Sequence, residues 1–211
     1  AKIMHNNGLF SIRACAKTLY KQQLERKNNI LQQQFHVSHP NEVWVSDVTY
    51  FSVFNKMHYI CVVLDLYARK VIAYKVAKHN STQLTKAVVK MAYEKRHPTE
   101  ELLFPSDQGS NYTSNEFRKY LKSIHITQSF SNPGMHYDNS VMESFFCSFK
   151  REALYRYRFK TEKDFFESIE TYIKFYNNKR PHSILMNQTP DKFEANYFNK
   201  YKENTNPQTE Q

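Results

Sequence analysis

Three acidic residues stand where a carboxylate needs explaining. Asp47 interrupts the run Val43-Trp44-Val45-Ser46-Asp47-Val48-Thr49-Tyr50-Phe51, whose β-branched and aromatic residues predict a strand. A charge inside such a run is costly unless something pairs with it. Asp107 ends the short apolar run that begins Leu102-Leu103-Phe104, and Gln108-Gly109-Ser110-Asn111-Tyr112 follows it. Glu143 falls early in a segment with Val141, Met142, Phe145, Phe146 and Phe149 at helical spacing. Each has an ordinary explanation: Asp107 suits a turn, and Glu143 suits a helix N-terminus. Together, three carboxylates meeting at one end of a sheet make an all-oxygen site for Mg²⁺ or Mn²⁺. Two such ions about 3.5–4 Å apart can activate an attacking oxygen and stabilise the leaving oxygen of a phosphodiester.

Composition agrees with a polyanionic substrate. Lys and Arg number 30 against 20 Asp and Glu, a net charge of +10. A surplus of that size suits nucleic acid, although a solvated basic surface has the same count. With 40% hydrophobic residues the chain can build a core, and with 3 glycines it has no Gly-rich nucleotide cradle. Cys15, Cys61 and Cys147 form no CxxC pair and no disulfide framework, and the nine histidines form no HExxH zinc motif. Reduced cysteines, no signal-peptide pattern and no apolar run near about 18 residues lead us to expect a cytoplasmic protein. The chain opens on Ala1, as a fragment of a longer protein would.

The elements that must position the acids follow from the pattern. Residues 1–40 are basic and Gln/Asn-rich, and read as an arm or linker from an upstream region. Glu42–Phe51, His58–Leu66 and Lys70–Val76 read as three strands of an antiparallel meander. Ser81–Arg96 is helical, with Leu84, Ala87, Val88, Met91 and Ala92 in phase. Leu102–Phe104 is a buried strand, Ser114–Ser123 a helix capped by Ser114, and Ile124–Gln128 a fifth strand. A further helix starts near Asp138 or Asn139, and another near Thr161 ends before Pro181. This order predicts a mixed α/β domain with antiparallel and parallel parts in one sheet. We expect a catalytic core over 41–160, a helical extension over 161–198 and a disordered tail over 199–211.

The contexts of the three acids resemble the DDE core of the transposase and retroviral-integrase superfamily. They are most similar to the catalytic (OrfB-type) subunit of bacterial insertion-sequence transposases. The W-x-x-D-x-T-Y block is Trp44, Asp47, Thr49 and Tyr50, and the S-D-x-G-x-x-Y-x-S block is Ser106, Asp107, Gly109, Tyr112 and Ser114. The third block, D-N-x-x-x-E-S-F-F-x-x-x-K-x-E, is Asp138, Asn139, Glu143, Ser144, Phe145, Phe146, Lys150 and Glu152. Between Asp107 and Glu143 lie 35 residues, the gap typical of that family. A fourth block runs Phe175-Tyr176-Asn177-Asn178-Lys179-Arg180-Pro181-His182-Ser183, then Thr189-Pro190. Pro105 stands where the family usually has His, and Ala68 and Ala73 where Ser and Gly are common.

The resemblance implies a ribonuclease-H-like fold: three antiparallel strands, then two parallel ones, flanked by helices. It implies two-metal cleavage and joining of DNA in transposition, a form of DNA integration and recombination. Asp47 would bridge two Mg²⁺ or Mn²⁺ ions, and Asp107 and Glu143 would each complete one site. It also implies a nucleoid-associated bacterial protein, a helix-turn-helix region upstream or in a separate chain, and a homo-oligomer on DNA.

Around this core, Lys150 lies two helical turns past Glu143 and is expected at substrate phosphate, with an ordinary surface lysine the equal alternative. Arg151, Arg156, Arg158 and Lys160, interleaved with Tyr155 and Tyr157, form a basic stretch that can follow a DNA backbone, or be a solvated connector. Arg180 is a DNA-contact candidate with an equal claim to a structural role. Asn139 is expected beside the site and Asp138 as a helix cap. Asp65 reads as structural rather than as a fourth ligand. Two other functions fit the same residues: a metal-dependent nuclease of this fold, and a transposase-derived DNA-binding protein without activity.

Overall fold

The computed structural model of the chain describes residues 37–107, 109–130 and 140–205. The expectations for the 1–36 arm and for Asp138 and Asn139 lie outside the described residues. Three strands form the meander: β1 (Trp44–Val53), β2 (Lys56–Asp65) and β3 (Lys70–Ala77), all antiparallel. Helix α1 (Thr82–Arg96) follows, and Ser81 caps it by accepting from the Leu84 amide. Strand β4 (Leu102–Ser106) pairs in parallel with β5 (Ile126–Phe130). Between them come α2 (Ser110–Thr113) and α3 (Asn115–Ser123), the latter capped by Ser114. Helix α4 (Ser140–Phe149) runs directly into a π-helical turn, Lys150–Leu154. Helices α5 (Glu162–Asn178) and α6 (Pro190–Thr205) complete the described chain.

A parallel bridge between Val43 and Leu103 joins the two ladders, and the Leu103 amide donates to the Glu42 carbonyl at 2.9 Å. The strands therefore follow one another as 3-2-1-4-5, the expected mixed arrangement. Side chains alternate across the sheet. Val43, Val45, Ile60, Val62 and Leu64 face α4 and α5 and pack on Phe145, Phe149, Phe165 and Ile169. Trp44, Cys61, Val63 and Ile72 face α1 and α3 and pack on Val88, Phe104 and Phe117. Burying each such side chain contributes about 1.5–3 kcal/mol, which fixes the three layers.

Packing is continuous across residue 160: Phe165, Ile169, Tyr172 and Ile173 share a core with β1 and β2. Thr161 starts α5 with a capping box completed by Asp164. The tail expected to be disordered from 199 is helical through Thr205. Tyr67 anchors that helix with ring contacts to Phe193 at 5.2 Å and Tyr197 at 5.4 Å.

The edge of β3 is closed by a side chain. Asn177 accepts from the Val71 amide at 3.0 Å and donates to the Val71 carbonyl at 2.9 Å. That pair imitates one rung of a neighbouring strand and blocks the edge there. At the start of β3, Lys70 contacts Asp191 and Glu194, and Arg96 contacts Glu194. Asp65 is wholly buried beside them and accepts from the amides of Asn41 and Tyr67. Its carboxylate thus ties the start of β1 to the turn after β2.

Burial pushes the Asp65 carboxyl up from 3.8 to about 6, against the two amides and Arg96. A raised folded value means the proton is held more tightly in the folded state. That contribution is complete below about pH 4 and lost as pH rises through about 6. Urea melts of wild type and Asp65→Asn across this range are expected to show the difference in stability moving toward the variant as pH rises. A pH-independent difference would contradict the assigned cause.

Candidate active site

Asp47 lies on β1 and Asp107 one residue past the end of β4. Each is four residues beyond its partner in the Val43–Leu103 bridge, and the charges of both acids act on buried Tyr112. Strand alternation points Asp47 to the face that carries Val43, Val45 and α4. Glu143 sits in the first turn of α4, whose Met142, Phe145, Phe146 and Phe149 press against that same face. The sequence brings Glu143 there because its apolar neighbours must bury themselves on the sheet.

The loop after Asp107 is shaped around its carboxylate. The Gly109 amide donates to Asp107 Oδ1 at 3.0 Å. A methyl group on Gly109 would stand 2.9 Å from that oxygen, so only glycine leaves the carboxylate in place. The Val48 amide holds Asp47 Oδ1 at 2.7 Å. Buried Tyr112 lies within the fields of both acids, and its hydroxyl meets Ser46 Oγ at 3.0 Å. Gln128 donates to Ser106 Oγ at 2.9 Å and to the Tyr112 carbonyl at 3.0 Å, tying β5 to the same corner.

The arrangement is open. Among the described residues no three His, Cys, Asp or Glu side chains are grouped as a metal site. The donors are all carboxylate oxygens, which fit a hard divalent cation and not zinc or copper.

Lys150 Nζ rests over the Tyr50 ring, 5.1 Å from its centroid. Partial burial lowers the Lys150 pKa, and the charge of Asp47 pushes it back up. The lysine thus stands in the field of the first acid. Arg151, Arg156, Arg158 and Lys160 are exposed, as are Tyr155 and Tyr157. The Tyr155 ring meets Phe51 of β1 at 5.7 Å, so this stretch begins beside the strand that carries Asp47.

Arg180 is differently placed. Its Nε and Nη2 each donate to a Glu152 carboxylate oxygen at 3.0 Å, and Tyr172 donates to the same carboxylate. Partial burial works against the Glu152 charge, but Arg180 prevails and holds its pKa below the ordinary value. His182 packs edge-on against Tyr176 at 4.7 Å. The fourth sequence block is therefore a clamp between α4, α5 and the core.

Sequence reasoning named Tyr50, Gly109, Tyr112 and Glu152 only as motif letters. Their signal was fixed spacing from the acids, but their tasks needed the contacts. Pro105, in place of the usual His, is buried within β4 opposite Ser129.

Two models of the integrase core domain match residues 37–136 and 124–190. The transposase for insertion sequence element IS904 of Lactococcus lactis subsp. lactis is 33% identical over 92% of this chain and 78% of its own length. The chain belongs to the insertion-sequence transposases with an integrase core. In Escherichia coli, the putative transposase InsK for IS150 is 34% identical over 77% of this chain, and InsF for IS3A is 32% identical over 79%. The chain spans 57% and 58% of those two relatives, less than two thirds.

Among solved structures, the HTLV-2 integrase catalytic core domain in complex with magnesium (trimeric form) superposes with a TM-score of 0.61 at 18% identity. That match covers 74% of this chain and 98% of the other. The simian T-cell lymphotropic virus intasome, in complex with a PP2A regulatory subunit, gives 0.63 at 17% identity, over 74% of this chain and 55% of that one. The fold is thus the ribonuclease-H-like fold of retroviral integrase cores. The chain carries the integrase core of an insertion-sequence transposase. No helix among the described residues is long and apolar enough to cross a membrane.

Three substitutions test these contacts. Gly109→Ala is expected to displace Asp107 and lower Mn²⁺-dependent DNA cleavage about a hundredfold, with an unchanged melting temperature. Full cleavage would show that the glycine does not place the acid. Arg180→Leu and Glu152→Leu should each cost about 1–3 kcal/mol in urea melts, and the double variant less than their sum. Strict additivity would mean that the clamp carries no coupling.

Proposed function

We propose that Asp47, Asp107 and Glu143 jointly hold two divalent cations, Mg²⁺ or Mn²⁺, and that the chain cleaves and joins the DNA ends of an insertion element. A bound pair of this kind would lower the pKa of an attacking hydroxyl and offset charge on the departing oxygen. The support is chiefly the Val43–Leu103 bridge, with both aspartates four residues farther along. Water attacks the phosphorus at the element's end and the 3′ oxygen leaves as a hydroxyl. That 3′-hydroxyl then attacks a second phosphodiester and displaces its 3′ oxygen. Both are in-line displacements with no covalent protein intermediate.

In this reading Lys150 meets a phosphate next to the reacting one. Its place over Tyr50, in the field of Asp47, supports that assignment. Arg151, Arg156, Arg158 and Lys160 follow the DNA backbone, and exposed Tyr155 and Tyr157 are free to stack on unpaired bases. Arg180 contributes through Glu152 rather than at DNA, because its donors are engaged there. Joining needs two ends held together, so the working form is a homo-oligomer on DNA, with a helix-turn-helix region supplying recognition of the element's ends. The protein acts in the bacterial cytoplasm, at the nucleoid. Residues 41–160 are its DDE core, and 1–40 link that core to the recognition region.

Labelled element ends with Mn²⁺ test the proposal. Wild type should give cleaved and joined products. Asp47→Asn, Asp107→Asn and Glu143→Gln should each lose at least about a hundredfold in both while still shifting DNA in a gel. Cleavage without joining would make the chain a nuclease. Activity retained in all three variants would sink the metal-site reading.

A further inference from the structure

The corner beneath the two aspartates contains a buried polar contact that neither metal binding nor DNA binding uses. The Tyr112 ring is 3% exposed and packs among Phe104 and Phe117, with centroids 6.3 and 5.5 Å away. Phenylalanine would serve that packing equally well. The hydroxyl has to be answered inside the core, and Ser46 answers it at 3.0 Å. Ser46 is itself buried, and its Oγ also lies 3.7 Å from Cys61 Sγ on β2. Burial pushes the Cys61 thiol up to about 12, so it stays protonated and completes a neutral trio.

The position of that contact gives it meaning. Ser46 is the residue before Asp47, and on a strand the two side chains leave opposite faces. Pinning the serine on one face fixes the aspartate on the other. At the far end, the Tyr112 amide donates to the Gly109 carbonyl at 3.0 Å, and the Gly109 amide donates to Asp107. A continuous path of covalent and hydrogen bonds therefore runs from Asp47 through Ser46, Tyr112 and Gly109 to Asp107. The backbone bridge between β1 and β4 sits four residues away, at Val43. Nearer the acids, this side-chain tie takes its place.

We infer that the Tyr112–Ser46 hydrogen bond is the strut that sets the separation of Asp47 and Asp107, making both hydroxyl residues positioning residues for the metal site. The inference rests on the metal reading proposed above. Groups that orient metal ligands without touching the metal commonly change affinity about tenfold to a hundredfold when removed. A tyrosine needed only for packing would leave metal affinity alone when changed to phenylalanine.

Binding of Mn²⁺ to the full chain, read by calorimetry and by the Mn²⁺-dependent rise in melting temperature, tests it without recourse to activity. Tyr112→Phe and Ser46→Ala are each expected to raise the half-saturating Mn²⁺ concentration about tenfold, and the double variant no more than either alone. Wild-type Mn²⁺ titration of Tyr112→Phe, with binding lost in Asp107→Asn, overturns the strut and leaves the metal reading standing. Unchanged titration of both Asp47→Asn and Asp107→Asn overturns the two together. If Tyr112→Phe does not fold, Ser46→Ala, which removes a single hydroxyl, decides by the same measurement.

Discussion

Everything at the site depends on the parallel docking of β1 against β4 in one register. A single bridge carries it, flanked by hydrogen bonds from Leu103 to Glu42 and from Leu66 to Val43. A slip of one residue along β1 would turn Asp47 into the layer of Phe104 and Phe117 and bring Val48 to the face now held by Asp47. The hydrophobic pattern forbids that slip. Val43 and Val45 are buried against α4 and α5, and Trp44 is buried against α1 and α3, so neither face tolerates the exchange. Apolar packing thus decides where a charge is allowed to stand.

The rest of the fold keeps that docking from loosening. Asn177 closes the outer strand, and Arg180 with Glu152 fastens the end of α4 to α5. At the opposite end, Asp65, Lys70, Arg96, Asp191 and Glu194 tie the start of β3, α1 and α6 together. Buried ion pairs add little net stability over apolar packing, yet losing one partner is costly. Networks of this kind make the alternatives expensive and so favour a single arrangement.

Helix α4 has two jobs, and the change in its winding separates them. Its α-helical turns carry Glu143 in the first turn and bury four apolar side chains on the sheet. From Lys150 it widens into a π turn, closed by a hydrogen bond from the Tyr155 amide to the Lys150 carbonyl. Such widening is frequent at functional sites. Here it comes where the chain turns from the core to the exposed basic stretch, and it leaves Lys150 over Tyr50.

The amino-acid sequence by itself determined the five strands, the main helices and the family. Those depend on local periodicity, on capping residues such as Ser81, Ser114 and Thr161, and on motif spacing, all of which are written in consecutive residues. The short helix Ser110–Thr113, the π turn and the helix through Thr205 were not legible, because tertiary contacts such as Tyr67 on Phe193 and Tyr197 stabilise what local preference leaves undecided. Only the tertiary structure decided that Arg180 answers Glu152 and that Tyr112 reaches Ser46. Those partners are 28 and 66 residues apart, and such a partner is set by which strands and helices lie beside each other, which no local pattern encodes.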